Sequence, residues 1–492
     1  MNKFQGRIPW QLGNISRLQF LSVSTVQKFS SLAYMQSSTE LDSSDLRWIE
    51  KLQELKYLSL GGVVLNMTSL ELGAALSHLH RLHFLDLFLC DLSGHIPNAI
   101  QNLTSLSHLI LDWNEFNSRV PSWLGNMPHL QELSLSYNTE LSGDIDHILC
   151  GKWPHLTIFD LSQTNVTGGI PPRIGNISSL IHLDIGKIEI GIIVKGKMEG
   201  IIPSSLGNIS TLQWLSLHGN SLSGEIPPSI GQLSSLIYLD LTSNKLSGQI
   251  PSSLGNILSL DTLFLADNQL NGTIPTSIGL LPHVKSMDLS FNNLQFSLDA
   301  FISTSSLLSL DLSYNKLIAE VDPKWIPPFS LSSLSLASCS IEGIFPLFLS
   351  TQYELDDLDL SKNNLFGNIP LWLVDLTNLN ELNLSYNNLQ GQLPSTLNIS
   401  SFFTLDLHKN QLNGFLPIPS IASPYLELLD VSQNGFVGVI PAHIGKLVPS
   451  IGFLSFSAND LSGGIPSSIG LLQTLEVLDL SKIGYLVKYH QA

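Results

Sequence analysis

Residues 212–227 read LQWLSLHGNSLSGEIP, and residues 236–251 read LIYLDLTSNKLSGQIP. The copies lie 24 residues apart and agree on the pattern LxxLxLxxNxLxGxIP. Working outward, the same register sets a leading apolar anchor at Leu18, Leu55, Leu82, Leu106, Leu130, Leu156, Leu180, Leu212, Leu236 and Leu260. It continues at Val284, Leu307, Leu331, Leu355, Leu379, Phe402, Leu426, Ile451 and Leu475, nineteen units in all. From Leu212 onward every step is 23 to 25 residues, a regularity that chance does not hold over so many units. Within LxL successive side chains alternate, so both leucines face inward and the residue between them faces out. One such strand cannot bury its inner face alone, and a stacked neighbour supplies the missing wall.

Eight residues after the anchor stands Asn, at 114, 138, 220, 244, 268, 292, 315, 363, 387, 410, 434 and 459, with Cys90, Cys339 and Thr164 as substitutes. An inward amide there can serve backbone groups of adjacent coils that are costly to leave unpaired. The LxGxIP tail, as in Leu222, Gly224, Ile226 and Pro227, combines a free backbone with a fixed φ. That suits a short extended crossing better than a helix. Period and register resemble the leucine-rich repeat, and the LxGxIP tail resembles its plant-specific class, found in the ectodomains of plant receptor-like kinases and receptor-like proteins. The fold implied is an α/β-class leucine-rich-repeat solenoid, rich in β-structure. It has a parallel sheet on the concave face and short extended or 3-10 segments on the convex face. The expected organisation is a single solenoid over residues 1–482, irregular at 24–54 and 187–197, with a non-repeat tail at 483–492.

Two irregular stretches carry the resemblance further. Residues 43–60, SSDLRWIEKLQELKYLSL, open on a helix cap expected at Ser44 or Asp45. Residues 322–346 place Trp325, Ile326, Pro327, Pro328 and Phe329 just before a strand. Both are similar to segments of the receptor-like proteins that include fungal-elicitor and disease-resistance receptors. The step from Leu180 to Leu212 is 32 residues, and its insertion brings Lys187, Lys195 and Lys197 into a chain short of bases. A surface loop tolerated by the scaffold explains it better than a ligand-touching one. Residues 1–9, MNKFQGRIP, already read as the second half of a unit, and GYLVKYHQA after Ile483 follows no pattern. The expectation is therefore a fragment of a longer protein, without a signal peptide of its own.

Composition narrows the functional classes. Charged residues are 13% of the chain and the net charge is −17, against a nucleic-acid binder with its basic surface. Hydrophobic residues at 43% rule out disorder. No apolar run approaches the ~18 residues of a membrane-spanning helix. Three cysteines, Cys90, Cys150 and Cys339, are too few for a disulfide scaffold. The run His78, His80, His83 has no acidic or Cys partner nearby, so no metal is expected. No phosphate-binding loop, GxSxG, HExxH or dinucleotide turn appears, so neither catalysis nor a cofactor is expected.

What remains is binding. Sequons for N-glycosylation stand at Asn14, Asn66, Asn102, Asn165, Asn176, Asn208, Asn271, Asn383 and Asn398, consistent with a secretory origin. The outward strand positions fall two, four and six residues after each anchor. The fourth is Asp in ten units: 86, 160, 184, 240, 288, 311, 359, 406, 430 and 479. Repeat consensus accounts for the column, while an acidic stripe favouring basic or amide-rich peptides is the sharper alternative. Aromatics are less generic. Trp214, His218, Tyr238 and Phe264, beside Asp240, sit on three consecutive strands and form the preferred ligand-binding group, because such rings bring large area at low entropy cost. Phe84, Phe88, His108 and Trp113 form a second group. The resemblance implies an ectodomain at the extracellular face of the plasma membrane, sensing a peptide or protein elicitor and signalling through a co-receptor or adaptor kinase. The rival reading is a soluble inhibitor of a microbial cell-wall hydrolase, similar to the polygalacturonase inhibitors, which are shorter and capped by cysteines.

Overall fold

The structure, a computed structural model, describes residues 4–24, 41–43, 45–188, 197–301, 304–317 and 325–482. Lys195, Ser44 and the 483–492 tail lie outside the described residues. The chain divides into two compact units, Met1–Leu260 and Asp261–Ala492.

In the first unit, an inner ladder of three-residue strands runs from Phe20–Ser22 through Tyr57–Ser59 and Phe84–Asp86 to His182–Asp184, Trp214–Ser216 and Tyr238–Asp240. All of its pairings are parallel and in register. The second unit repeats this from Thr262–Phe264 to Val477–Asp479. The strands begin where the anchors place them. Their central residues, such as Leu215 and Leu239, have no exposed surface, so each coil buries its inner face only against the next.

The tail of the unit differs from the plain crossing expected. After the Asn turn, the LxGx segments pair with one another as a second parallel ladder. Ser142–Asp144, Asn165–Gly169, Met198–Ile201, Ser221–Gly224 and Lys245–Gln249 form it in the first unit. Glu342–Gly343 through Asp460–Ser462 form the longest run in the second. The Pro then starts a 3-10 turn, as Pro203 does for Ser204–Asn208 with φ −70°. A fixed φ with no N–H to satisfy fits the first turn of a helix, so extended and helical segments follow one another. Residues 43–60 hold a 3-10 turn, Arg47–Lys51, opened by Asp45, whose Oδ1 accepts the Arg47 N–H at 2.9 Å. An α-helix stands at Ser69–Leu76, where Thr68 and Glu71 form a reciprocal capping box.

The Asn residues do what their spacing predicts. Asn363 Nδ2 donates to the carbonyls of Leu360 in its own coil and Leu336 in the preceding one, at 3.0 and 2.9 Å. Its Oδ1 accepts the N–H groups of Cys339 and Ile341 at 3.1 and 3.0 Å. On the convex side the 3-10 turns meet backbone to backbone. A Cβ on Gly207 would fall inside the van der Waals sphere of the Ser229 carbonyl oxygen, whereas one on Gly464 would meet nothing within 4 Å. Gly207→Ala is therefore expected to cost about 1–3 kcal/mol by overpacking, and Gly464→Ala only a few tenths. Urea unfolding followed by circular dichroism compares the two, and equal midpoints would contradict the close approach.

Candidate ligand-recognition site

Register alone brings the predicted residues of the first unit together. Trp214 pairs with Tyr238 and with His182 across the ladder. Their rings form a stack, Trp214 on Tyr238 at 3.7 Å between centroids and 5° between planes, and His182 on Trp214 at 5.4 Å and 15°. His182 joins the group beyond the predicted residues, and its place two residues after Leu180 is the signal for it in the sequence. Beside the stack, Tyr238 Oη donates to Asp240 Oδ2 at 3.2 Å. His218 Nδ1 lies 2.8 Å from Ser216 Oγ and 3.5 Å from Asp240 Oδ2. Among the described residues, the Trp214 indole N–H and His218 Nε2 are buried with no hydrogen-bond partner, a costly arrangement in a folded chain. Burial, the nearby Asp240 charge and the hydrogen bond to it raise the Tyr238 phenol above its ordinary pKa. Phe264, the fifth predicted residue, lies on the first strand of the second unit, Thr262–Phe264, half-buried.

The insertion begins against this patch. The Lys187 N–H donates to the His218 carbonyl at 2.8 Å. Burial, with the neighbouring Lys197 charge, pushes the Lys187 ammonium down to about 8.

The second predicted group resolves into two stacks. Phe84 joins Phe20 and Tyr57, with successive centroids at 4.1 and 4.2 Å, and reaches His108 at 5.3 Å. Trp113 instead stacks on Tyr137 at 4.0 Å. Phe88 is half-buried and joins neither. Trp113 and Tyr137 stand seven residues after their anchors, where the backbone takes a left-handed φ near 55°.

The aspartate column has a structural task. Asp160, Asp184, Asp240, Asp359 and Asp430 each accept the N–H two residues on, at 2.7 to 2.9 Å. The carboxylate thereby satisfies a backbone donor at the end of the strand. Asn383 does the same for Ser385 at 3.1 Å. Among the sequons, Asn165 and Asn383 are half-buried and the other seven are exposed. His78 Nδ1 lies 3.0 Å from Ser77 Oγ, and His83 Nδ1 lies 2.7 Å from the Arg81 carbonyl. No His, Cys, Asp and Glu cluster able to hold a metal occurs among the described residues.

Comparison with known proteins follows the repeat. Residues 11–150 match a model described as a leucine-rich repeat region. Residues 211–233, 235–257, 259–281, 378–398 and 425–447 match the Leucine Rich Repeat model. Receptor-like protein 47 of Arabidopsis thaliana is 30% identical over 160 residues, covering 32% of this chain and 18% of that protein. The chain thus matches about a fifth of that relative's length. Among solved structures, the ectodomain of the plant membrane receptor kinase GASSHO1/SCHENGEN3 from Arabidopsis thaliana, in complex with CASPARIAN STRIP INTEGRITY FACTOR 2, superposes with a TM-score of 0.75. It is 30% identical, covering 97% of this chain and 57% of that one. The Arabidopsis receptor kinase HAESA, in complex with the peptide hormone IDA and the co-receptor SERK1, gives a TM-score of 0.62 at 26% identity, covering 96% of this chain and 75% of that one.

Proposed function

We propose that this chain, which belongs to the leucine-rich repeat proteins in their plant receptor-like class, recognises an extended peptide on the strand face of its first unit, at Trp214, His218, Tyr238 and Asp240. The single observation that carries this reading is the His182–Trp214–Tyr238 stack beside two buried nitrogens that have no partner among the described residues. A flat aromatic platform offers area without loss of rotamer freedom, and the carboxylate of Asp240 selects ligands that bring amide or cationic donors. Phe264 stands four residues after its anchor, as Asp240 does, and is likewise assigned to ligand contact from its place in the repeat. The nine sequons are assigned as glycosylation acceptors.

The parent protein is read as a receptor at the extracellular face of the plasma membrane. No helix among the described residues is long and apolar enough to cross a membrane. Signalling is assigned to a partner kinase of the co-receptor type. The support is the similarity to HAESA, whose solved complex contains a peptide hormone and a co-receptor.

The test is capture of peptides from a synthetic library on the immobilised full chain, compared with Trp214→Ala plus Tyr238→Ala. Loss of two stacked anchors at the centre of an interface is expected to weaken capture by more than about tenfold, with an unchanged circular dichroism spectrum. Undiminished capture by the double variant rejects the site. Retention of a pectinase and of no peptide replaces the receptor reading with that of a hydrolase inhibitor.

A further inference from the structure

The second unit carries a groove that the peptide site above does not use. It encloses about 450 Å³, with Asp311, Asp359 and Asp406 on its floor and Phe291, Tyr314 and Tyr386 along one wall. The wall residues occupy the position seven after their anchors and take φ of 51° to 54°, a left-handed conformation uncommon outside glycine. Phe291 stacks on Tyr314 at 4.2 Å. The wall already shows an affinity for cations, since Lys362 Nζ lies 5.1 Å from the Tyr314 ring centroid and Lys409 Nζ 4.6 Å from that of Tyr386.

The floor is different. No lysine or arginine among the described residues forms an ion pair with Asp311, Asp359 or Asp406. Each uses one oxygen on the N–H two residues ahead, at 2.8, 2.7 and 2.9 Å. Burial, above all, raises the pKa of Asp311 and Asp406, so their negative charge is held at a cost. The three carboxylates stand on alternate strands, Ser333–Ser335 and Glu381–Asn383 lying between them. At about 4.8 Å per strand, successive carboxylates are roughly 10 Å apart. A chain in polyproline II conformation advances about 3.1 Å per residue with three residues per turn, so side chains three residues apart lie on one face and match that spacing.

We propose that this groove binds a peptide segment in polyproline II conformation carrying arginine or lysine at every third residue, its cationic groups on the Asp311, Asp359 and Asp406 floor and its backbone along the aromatic wall. Charge complementarity selects this occupant, because an acidic floor between tyrosines already engaged by lysines repels anionic and disfavours neutral ligands.

The probe is fluorescein-labelled acetyl-RGSRGSR-amide, titrated by anisotropy into the full chain at low ionic strength. The expected result is saturable binding that weakens with added salt and falls at least about tenfold in Asp311→Asn plus Asp359→Asn, as lost charge-assisted contacts should. Asn383 shows that asparagine holds the same backbone N–H in this column, so that variant keeps its fold. Lys362→Gln is expected to bind the probe more tightly by removing a like charge at the rim. Trp214→Ala plus Tyr238→Ala is expected to bind it unchanged, which separates this groove from the site on the first unit. Citrulline in place of arginine should abolish binding, and a peptide of the same charge with its arginines adjacent should bind several-fold more weakly. Equal binding by the Asp→Asn variant or of the citrulline peptide, equal binding of the two arginine spacings, or loss of binding in Lys362→Gln overturns the assignment.

Discussion

Asn363→Ala is expected to lower the stability of the second unit by about 3–5 kcal/mol, far more than its lost surface accounts for. The Asn363 side chain is 6% exposed and bridges two coils through both ends of its amide. Alanine leaves the Cys339 and Ile341 N–H groups, and the Leu336 and Leu360 carbonyls, without that partner. Each buried orphan costs about 1–3 kcal/mol, only part of which a relaxed backbone recovers. Cys339→Ala provides the contrast. The Cys339 thiol makes weak contacts, among them to the Leu312 carbonyl at 3.2 Å and the Ala337 carbonyl at 3.5 Å. The Leu317 N–H in the preceding coil is taken by the Cys339 carbonyl itself at 3.0 Å. Left-handed Ser338 and Ser340 on either side, φ 55° and 60°, turn that carbonyl inward. Cys90 repeats the device, between Leu89 and Asp91 at φ 50° and 58°, with its carbonyl accepting the Leu65 N–H at 2.9 Å. The loss at Cys339 is therefore expected to be about 1–2 kcal/mol. Urea unfolding of both variants under one set of conditions decides the point, and equal losses would show that the amide is not what ties the coils.

The contrast between Asn363 and Cys339 also marks how far the sequence could be read. Leucine spacing specifies the inner ladder because period and burial are one fact: a shifted Leu215 would face water. The Asn column is legible for the same reason, since only an inward amide can serve donors and acceptors of two coils. The second ladder was not legible. Its residues, such as Ser221 and Ser223, alternate no more strongly than a turn would, and pairing arises from the neighbouring coil rather than from local preference. Nor was the left-handed position seven after the anchor, because Trp113, Tyr314 and Lys362 are not residue types that announce a positive φ. The helix at Ser69–Leu76 did carry a signal, Thr68 with Glu71 three residues on. At the candidate site, the Trp214–Tyr238 contact followed from register. The missing partners of Trp214 Nε1 and His218 Nε2 depend on side-chain burial that no spacing encodes.

The aspartate column leads to a second large effect, this one set by pH. Asp160 and Asp184 face each other across paired strands. Although Asp160 keeps some contact with solvent, protein surrounds its carboxyl. Burial first, then the charges of Asp184 and Asp112, push it up to about 8. Burial raises Asp184 as well. In the unfolded chain an aspartate titrates near 3.9. Below about pH 4 both states hold the proton and stability is complete. Between about 4 and 8 the unfolded chain releases the proton while the folded chain keeps it, so stability falls as pH rises, by up to about 1.4 kcal/mol per unit. Above about 8 the folded carboxyl ionises too and the loss levels off. This slope is opposite in sign to that of a carboxylate stabilised as an anion. Asp160→Asn removes the charge and retains an acceptor for the Ser162 N–H and Oγ, which Asp160 Oδ1 holds at 2.9 and 2.7 Å. The variant is expected to be more stable than the parent by about 2 kcal/mol or more at pH 8 and equal to it near pH 4. Thermal or urea unfolding across that range measures the divergence. Parallel curves for parent and variant would show that Asp160 is ionised in the folded chain at neutral pH, its charge held by the surrounding N–H and hydroxyl donors.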